Sequence, residues 1–469
     1  MTESSVEALA QLIVYSPSSA ISAPQLRQAS LLLLDTIGCG IAGRQDHGAS
    51  AVVQTVACWG GEPSCQIIGH QMRTSVANAI LANGALCRAL DLNDYVFRVE
   101  GTQTRLGGHP SDNIPAAIAF AELACATGQA LLEAIVIGYE VFGRAKAFAR
   151  DAGEWDGVSY SGLVVPAIAC RLLRLNAAQT ANALSLSIAR SATSAMVRTG
   201  HISSAKSIAN ALVARASADA VLLAMGGVSG PLAIIDHKRG MRSLYANPEA
   251  LAALVKKFDD PSYIMNARIK PFPCVGTAQC AVEAAIQLHR RLNGDISKIE
   301  ELRLEMGDHP TVIRHLSDGE RANPTSREAA DHSIPFLVAV SLLDGELGMQ
   351  QFADERWNDP DVRELMGKLT TYTEEPLRRL APENFACSLE VATPSLRLRT
   401  EVLAPPGWSR EGIVEDAVLS KFHRVTQYAL PEAARNRIVQ ATLHIAEAQS
   451  VTDLAESFAL PQDVPVKSS

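Results

Sequence analysis

Aromatic residues make up only 5% of this 469-residue chain, too few for a fold built on aromatic-rich sheets. No C-x-x-C pair occurs among its nine cysteines. Cys39, Cys87, Cys125 and Cys170 lie in apolar, alanine-rich runs, where a reduced thiol behaves as a small hydrophobe. That distribution argues against a disulfide framework, a zinc knuckle or a plain iron–sulfur motif. Lys/Arg blocks are missing too, and the formal charge of −8 with a pI near 5.8 argues against a nucleic-acid partner. Apolar windows are broken by Asn, Arg, Glu or Gly before about 18 residues, the length a membrane span needs. The opening "MTESSVEALAQLIVYSPSSA" has acids but no basic n-region, so a soluble, cytoplasmic protein without membrane contact is expected. Internal repeats, low-complexity tracts and haem, PLP or flavin signatures are also lacking.

What is present is alanine. The apolar fraction reaches 47% largely through it, which favours helices packed closely through small side chains. The length exceeds what one hydrophobic core usually serves, so two domains are expected. Up to about residue 265 the pattern is helical. "SAPQLRQASLLLLDTIGCGIAG" opens with Ser22 as an N-cap, Pro24 in the first turn and Gln25 three residues on. Further helices are expected at about 75–90, 113–126, 129–149, 177–195 and 206–225. From 270 the grain changes: "KIEELRLEMG" alternates Ile299, Leu302, Leu304 and Met306 with charges, and "FACSLEVATPSLRLRTEVLAPPG" reads as two short strands around a turn at 393–395. Helical segments lie beside them, so this part is α+β, and the tail from about 411 to 457 is helical again. The fold class is mainly α with an α+β second domain.

Three places can carry chemistry. In "DLNDYVFRVEGTQTRLGGHPSDN", residues 91–113, acids and asparagines precede His109-Pro110. Pro110 biases His109 out of the helical region, Gly107 and Gly108 permit a tight approach, and Asn113 can cap the following helix. Three readings stand: a capped surface loop, an acid/base site, or a metal site on Asp91, Asp94 and His109. The second place is "RTGHISSAKSIANALVARASADAVLLAMGG", where Lys206 falls in the first turn of a long helix. A cation there opposes the helix dipole unless an anion answers it, the alternative being a lysine that snorkels to solvent. The "GGVSGP" that follows lacks dinucleotide-fingerprint spacing and reads as a helix stop. The third is "KPFPCVGTAQCAVEAA", where Lys270 lies in an extended piece and Gly276-Thr277 introduces a helix, as a structural cap or a ligand-facing terminus. Asp308-His309 and Asp331-His332 lack H-x-x-x-H spacing and are read as capping or packing residues.

Taken in order, "RALDLNDYVF…GGHPSDNIPAAIA", "EWDGVSY…RLLRLNAAQTANALS", "RTGHISSAKSIANA", "KPFPCVGTAQCAVEAA" and "NPTSREAADHSIPFLVAVSLLDGEL" resemble the MmgE/PrpD family over about residues 5–455, with the last block leaning towards its 2-methylcitrate dehydratase branch. The resemblance implies a helical domain from residues 1–268 and 406–469, an α+β lid from 269–405, a homodimer, and an active site without metal or cofactor. Asp91, His109 and Lys206 match the family's catalytic aspartate, histidine and lysine. Asn93, Tyr95, Arg98, Arg105, Tyr160, Lys270 and Thr277 are the candidate substrate contacts. The chain departs from the family at Tyr95, where threonine is usual, and at Gly157 and Thr277, where histidines are usual, with no replacement histidine in either neighbourhood; "DHKRG" at 236–240 replaces an acid-Gly pair.

The activity so implied is a lyase that removes a proton α to a carboxylate of a small di- or tricarboxylate and eliminates water. His109, oriented by Asp91, is the candidate base; such a group contributes about 10²–10⁴ in rate. Lys206 with a helix N-terminus would neutralise the developing charge. Tyr95, Tyr160 or Thr277 could serve the leaving group. Epimerisation or decarboxylation through the same carbanion-like intermediate, and a catalytically silent carboxylate-binding relative, are the alternatives.

Overall fold

The computed structural model describes residues 4–100, 103–106, 108–148, 155–198, 200, 202–243, 249–258, 262–293 and 296–460. The helices of the first half are α1 Ser5–Tyr15, α2 Ala23–Ala42, α3 His47–Trp59, α4 Val76–Arg88, α5 Ile114–Leu123, α6 Gly128–Phe148, α7 Ser161–Leu172, α8 Ala177–Ile188 and α9 Ala205–Met225. The capping box of α2 forms, with Ser22 N–H donating to Gln25 Oε1 at 2.7 Å. α8 ends at Ile188, earlier than its periodicity suggests, and α7 was not expected.

Among the described residues, beside two smaller clusters, stand two large apolar cores. One joins residues from Val6 to Ile269 with Val418 to Leu460, so that helices Glu415–Thr426 and Glu432–Leu443 pack against α2. The other runs from Phe272 to Val402 and takes in Tyr95. It is built on a sheet of order β7-β6-β8-β9, with β6 Glu301–Gly307, β7 Leu369–Glu374, β8 Cys387–Ala392 and β9 Arg397–Val402. β6 is parallel to β7 and antiparallel to β8. Leu302, Leu304 and Met306 of β6 turn into this core, as the alternation predicts. Helix Gln279–Arg291 lies on β8 and β9 and against helix Ile334–Asp344.

Besides the short pair β1 Cys65–Gln66 and β2 Arg73–Thr74, one small sheet matters for function. The stretch 91–113, read as a loop, instead folds into β3 Tyr95–Glu100 and β4 Gln103–Leu106, and β3 also pairs with β5 Ala267–Arg268. The register sets Tyr95 opposite Arg268. Lys270, two residues beyond, is thereby brought beside the turn that starts at Asp91.

α9 is long and apolar enough to cross a membrane by length and composition, yet more than half of its apolar stretch is buried against α4, α7 and α8. Its approach to α4 depends on Gly84, where a Cβ would stand 2.8 Å from Ala211 Cβ. Gly84→Val is expected to wedge α4 from α9, lowering stability by about 1–3 kcal/mol. The melting temperature checks this, and a variant as stable as the wild type would show that the two helices can part at no cost.

Candidate active site

The site begins where α4 ends. Past Arg88 the chain turns through Asp91 at φ 48°, a left-handed conformation that Asp and Asn tolerate better than most residues. The turn throws the Asp91 carboxylate back onto the Arg88 guanidinium, with which it pairs. Lys270 Nζ donates to Asp91 Oδ1 at 2.9 Å and to its carbonyl at 2.8 Å. Arg88 also reaches Asn93 Oδ1 at 3.1 Å, and Asn93 Nδ2 donates to Asp112 at 2.7 Å and to Ser111 Oγ at 2.9 Å. Asn93 is therefore a brace between the turn and the short helix Pro110–Asn113. From the far end of the chain, Lys421 donates to the Leu92 carbonyl at 2.7 Å and pairs with buried Asp35.

His109 Nδ1 lies against the backbone carbonyl of Asp94, not against the Asp91 side chain as expected. A carbonyl only accepts, so Nδ1 carries the proton and a neutral His109 has its lone pair on Nε2. Burial, then Arg88 and Lys270, hold this imidazole well below its ordinary range. The Asp94 carboxyl receives Tyr139 Oη at 2.7 Å, and burial pushes it up to about 7. Asp94 thus holds the histidine with its backbone while its side chain is tied up elsewhere. Asn113 begins α5 but does not cap it with its side chain, which donates to the Pro110 carbonyl at 3.2 Å.

Lys206 does not snorkel to solvent. It is 3% exposed, and its Nζ donates to Asp331 Oδ1 at 2.9 Å and stands 3.0 Å from His332 Nδ1. The anion that answers this cation at the start of α9 is Asp331 of the second domain, immediately before helix Ile334–Asp344. Reading Asp331-His332 as a capping pair is thereby corrected: Ser333 caps that helix, while His332 contacts Asp331 through Nδ1 and stands 3.7 Å from Asp91 Oδ2 through Nε2. Asp308-His309 do play the structural part, His309 accepting from Thr311 N–H at the start of helix Pro310–Ser317 and Asp308 pairing with Arg378.

Thr277 has an imidazole neighbour that its own surroundings in sequence do not offer. Its Oγ1 is 2.9 Å from His315 Nδ1, and the His315 ring centroid is 6.1 Å from that of His332. Tyr95 packs in the second core beside Gly276, and its electrostatic neighbours are Arg268, Cys274 and Cys280. Tyr160 packs edge-on to Phe142 at 6.0 Å, and Phe142 in turn lies under Gly108, next to His109. Arg98 and Arg105 face each other across β3 and β4; their side chains lie outside the described residues.

Asp91, Lys206, Lys270, Arg88, Asp331 and His332 thus form one buried cluster, and His109 shares Arg88 and Asp91 with it as electrostatic neighbours. Burial alone would raise Asp91, but Arg88, Lys270 and Lys206 outweigh it and hold the carboxyl well below the usual range. The same contest leaves Asp331 at about 2, with Lys206 the chief opposing charge. Burial lowers both lysines, against the pull of their carboxylates. Asp112, 3.7 Å from Arg88 Nε, is raised by burial. Arg88, Lys206 and Lys270 thus meet the carboxylates Asp91 and Asp331, with Asp112 at the edge beside Arg88. Asp91, Asp331 and His332 have ligand atoms within 4.8 Å of one another, but those donors already face Arg88, Lys206 and Lys270, whose charges would repel a divalent ion.

Three imidazoles in and around this cluster resist protonation: His332, lowered by burial and Lys206 to about 4, His315, lowered by burial and Arg321 to about 2, and His109. An unfolded chain binds protons on these rings below about pH 6.5 that the native state refuses. Each ring therefore contributes stability that rises with pH between about 4 and 6.5, by up to about 1.4 kcal/mol per pH unit, while Asp94, raised to about 7, contributes the opposite slope across the same window. Urea midpoints of the wild type and His315→Gln across that window test this: the variant should lose one ring's share of the slope, and parallel profiles would mean that the native His315 is protonated.

Here, then, is a two-domain protein with a cation-rich acid–base cluster buried on the seam between its domains. Residues 7–253 match the MmgE/PrpD N-terminal domain and residues 272–445 the MmgE/PrpD C-terminal domain. The chain belongs to the MmgE/PrpD family. It is 27% identical to the 2-methylcitrate dehydratase of Cupriavidus necator over 459 residues, 91% of this chain and 92% of that protein. The 2-methylcitrate dehydratase of Salmonella typhimurium is 27% identical over 74% of this chain and 73% of its own length. The cis-aconitate decarboxylase of Mus musculus is 26% identical over 73% of this chain and 70% of its own.

Proposed function

We propose that this chain is a lyase that needs no metal or organic cofactor and acts on a small di- or tricarboxylate, by removing a proton α to a carboxylate and eliminating water, as in a 2-methylcitrate dehydratase. One observation carries the reading: Arg88, Lys206 and Lys270 converge around Asp91 beside imidazoles held in the neutral form. Removing a proton next to a carboxylate puts a second charge on an anionic group, and cations fixed in a site shielded from water are what make that affordable. Lys206 and Lys270 would hold the carboxylate, competing with Asp331 and Asp91 for it. His109, neutral with its lone pair on Nε2, would take the proton.

Decarboxylation is the second reading, supported by the similarity to cis-aconitate decarboxylase. The test is incubation in D₂O with methylcitrate, cis-aconitate and related acids, following alkene absorbance, deuterium at the α-carbon and CO₂ release. Alkene formation with release of water is the expected result. Exchange without alkene would favour an epimerase, CO₂ release the decarboxylase, and the absence of all three would overturn the assignment.

A further inference from the structure

His109 and His332 differ in what touches their rings. A proton added to His109 meets Arg88 and Lys270, with Asp91 opposing them. His332 stands between carboxylates, Asp331 at Nδ1 and Asp91 Oδ2 at 3.7 Å from Nε2. The Lys206 ammonium only donates and reaches Nδ1 at 3.0 Å, so a neutral ring accepts there and carries its proton on Nε2, towards Asp91. Nδ1 also faces the Asp331 carboxylate, one acceptor against another, and once Lys206 turns to a different anion a proton is what that contact lacks. Besides these, Lys206 of α9 faces the ring at 3.0 Å, the His315 ring lies 6.1 Å away, Arg327 stands 4.0 Å from Asp331, and Arg88 and Lys270 act through Asp91. Lys206 is the cation in direct contact that opposes a second proton on the ring. A substrate carboxylate on Lys206 would cancel that opposition and leave the ring bracketed by Asp331 and Asp91.

We propose that His332 is a second proton-transfer residue, which takes up a proton as the substrate anion engages Lys206 and delivers it from Nε2 to the departing hydroxyl. The inference rests on the lyase reading above. In the step, the C–H bond breaks as His109 Nε2 takes the proton, and its electron pair forms the C=C bond. The C–O bond breaks with its pair going to oxygen, which accepts the His332 Nε2 proton and leaves as water. His109 ends protonated and His332 neutral, with its proton on Nδ1, and both reset by exchange with solvent. The helical domain thus supplies the base and the second domain the acid. Proton exchange at carbon needs the first, while elimination needs both.

Two measurements test this. The first is calorimetric binding of tricarballylate, a tricarboxylate with no hydroxyl to lose, in buffers of different ionisation enthalpy. The full-length wild type should take up about one proton at neutral pH, His332→Gln none, and His109→Gln about one. The second is turnover in D₂O. His332→Gln should lose elimination by about 10²–10⁴ while keeping α-deuteration, whereas His109→Gln should lose both. Proton uptake that survives in His332→Gln, or that is absent from the wild type, overturns the proposal, as does elimination by His332→Gln within about threefold of wild type. Failure of the wild type to bind tricarballylate would sink the carboxylate-site reading itself; binding with unaltered proton uptake would sink only the role of His332.

Discussion

Asp91→Asn is expected to lower stability by about 3–5 kcal/mol, the cost of stranding buried charge by removing its partner, and to reduce turnover by more than about 10² through loss of the anchor for two cations. Asp91 accepts from Lys270 and pairs with Arg88, and both cations are buried. Neutralising it leaves Arg88 with Asn93 and the more distant Asp112, and Lys270 with the Asp91 carbonyl alone. Asparagine is the right probe because it keeps the volume and tolerates φ 48°, so the measured loss reports charge and not backbone. Asp91→Ala should be less stable still, by about 1 kcal/mol, since a Cβ without a local hydrogen-bonding group bears the left-handed strain in full. Asp91 is held far below the ordinary carboxylate range, so its contribution is present at neutral pH and lost only as pH falls below about 4, towards its folded pKa. Denaturant titrations of both variants at neutral pH check the order. If Asp91→Asn stays within about 1 kcal/mol of wild type, Arg88 and Lys270 have other partners and the cluster is mis-drawn.

Much of this scaffold can be read in the chain, because helix starts and alternating strands are local signals. Ser22 with Gln25 announces α2, and Leu302, Leu304 and Met306 announce β6. The hairpin β3–β4 escaped because its acids, Gly107 and Gly108 speak for a loop, while its stability comes from pairing with β5, some 170 residues away in the chain. For the site the contrast is sharper. Lys206 in a first turn poses a conflict visible in sequence, and Asp91, His109 and Lys270 stand in conspicuous surroundings. Arg88 gave a weaker sign, three residues before Asp91, and resembles an ordinary basic residue in the last turn of a helix. His332 and His315 carry no periodic signature at all. An Asp-His pair before a capped helix reads as part of the cap, and only the approach of α9, with Lys206 at its start, distinguishes it. The imidazole at Thr277 comes from His315, 38 positions on, through a contact that no local pattern encodes.

Lys206→Met separates what the cluster does for folding from what it does for chemistry. The single substitution strands Asp331, a carboxylate 1% exposed, and should cost about 3–5 kcal/mol. Asp331 then loses the charge that holds it at about 2, so its pKa rises, and part of the stability should return as pH falls through the new value. Combining Lys206→Met with Asp331→Leu removes both partners, and apolar replacement of a buried pair is often close to neutral, so the double variant should regain most of the lost stability. Turnover should not follow. The proposed reaction still lacks a cation at the carboxylate, a loss worth about 10²–10³ for one fixed donor, and His332 has lost both groups that face its Nδ1, Lys206 and Asp331. A double variant that is stable and inactive assigns Lys206 to the reaction. One that recovers both stability and turnover reduces Lys206–Asp331 to a structural pair, and the substrate carboxylate would then have to be held by Lys270 and Arg88 alone.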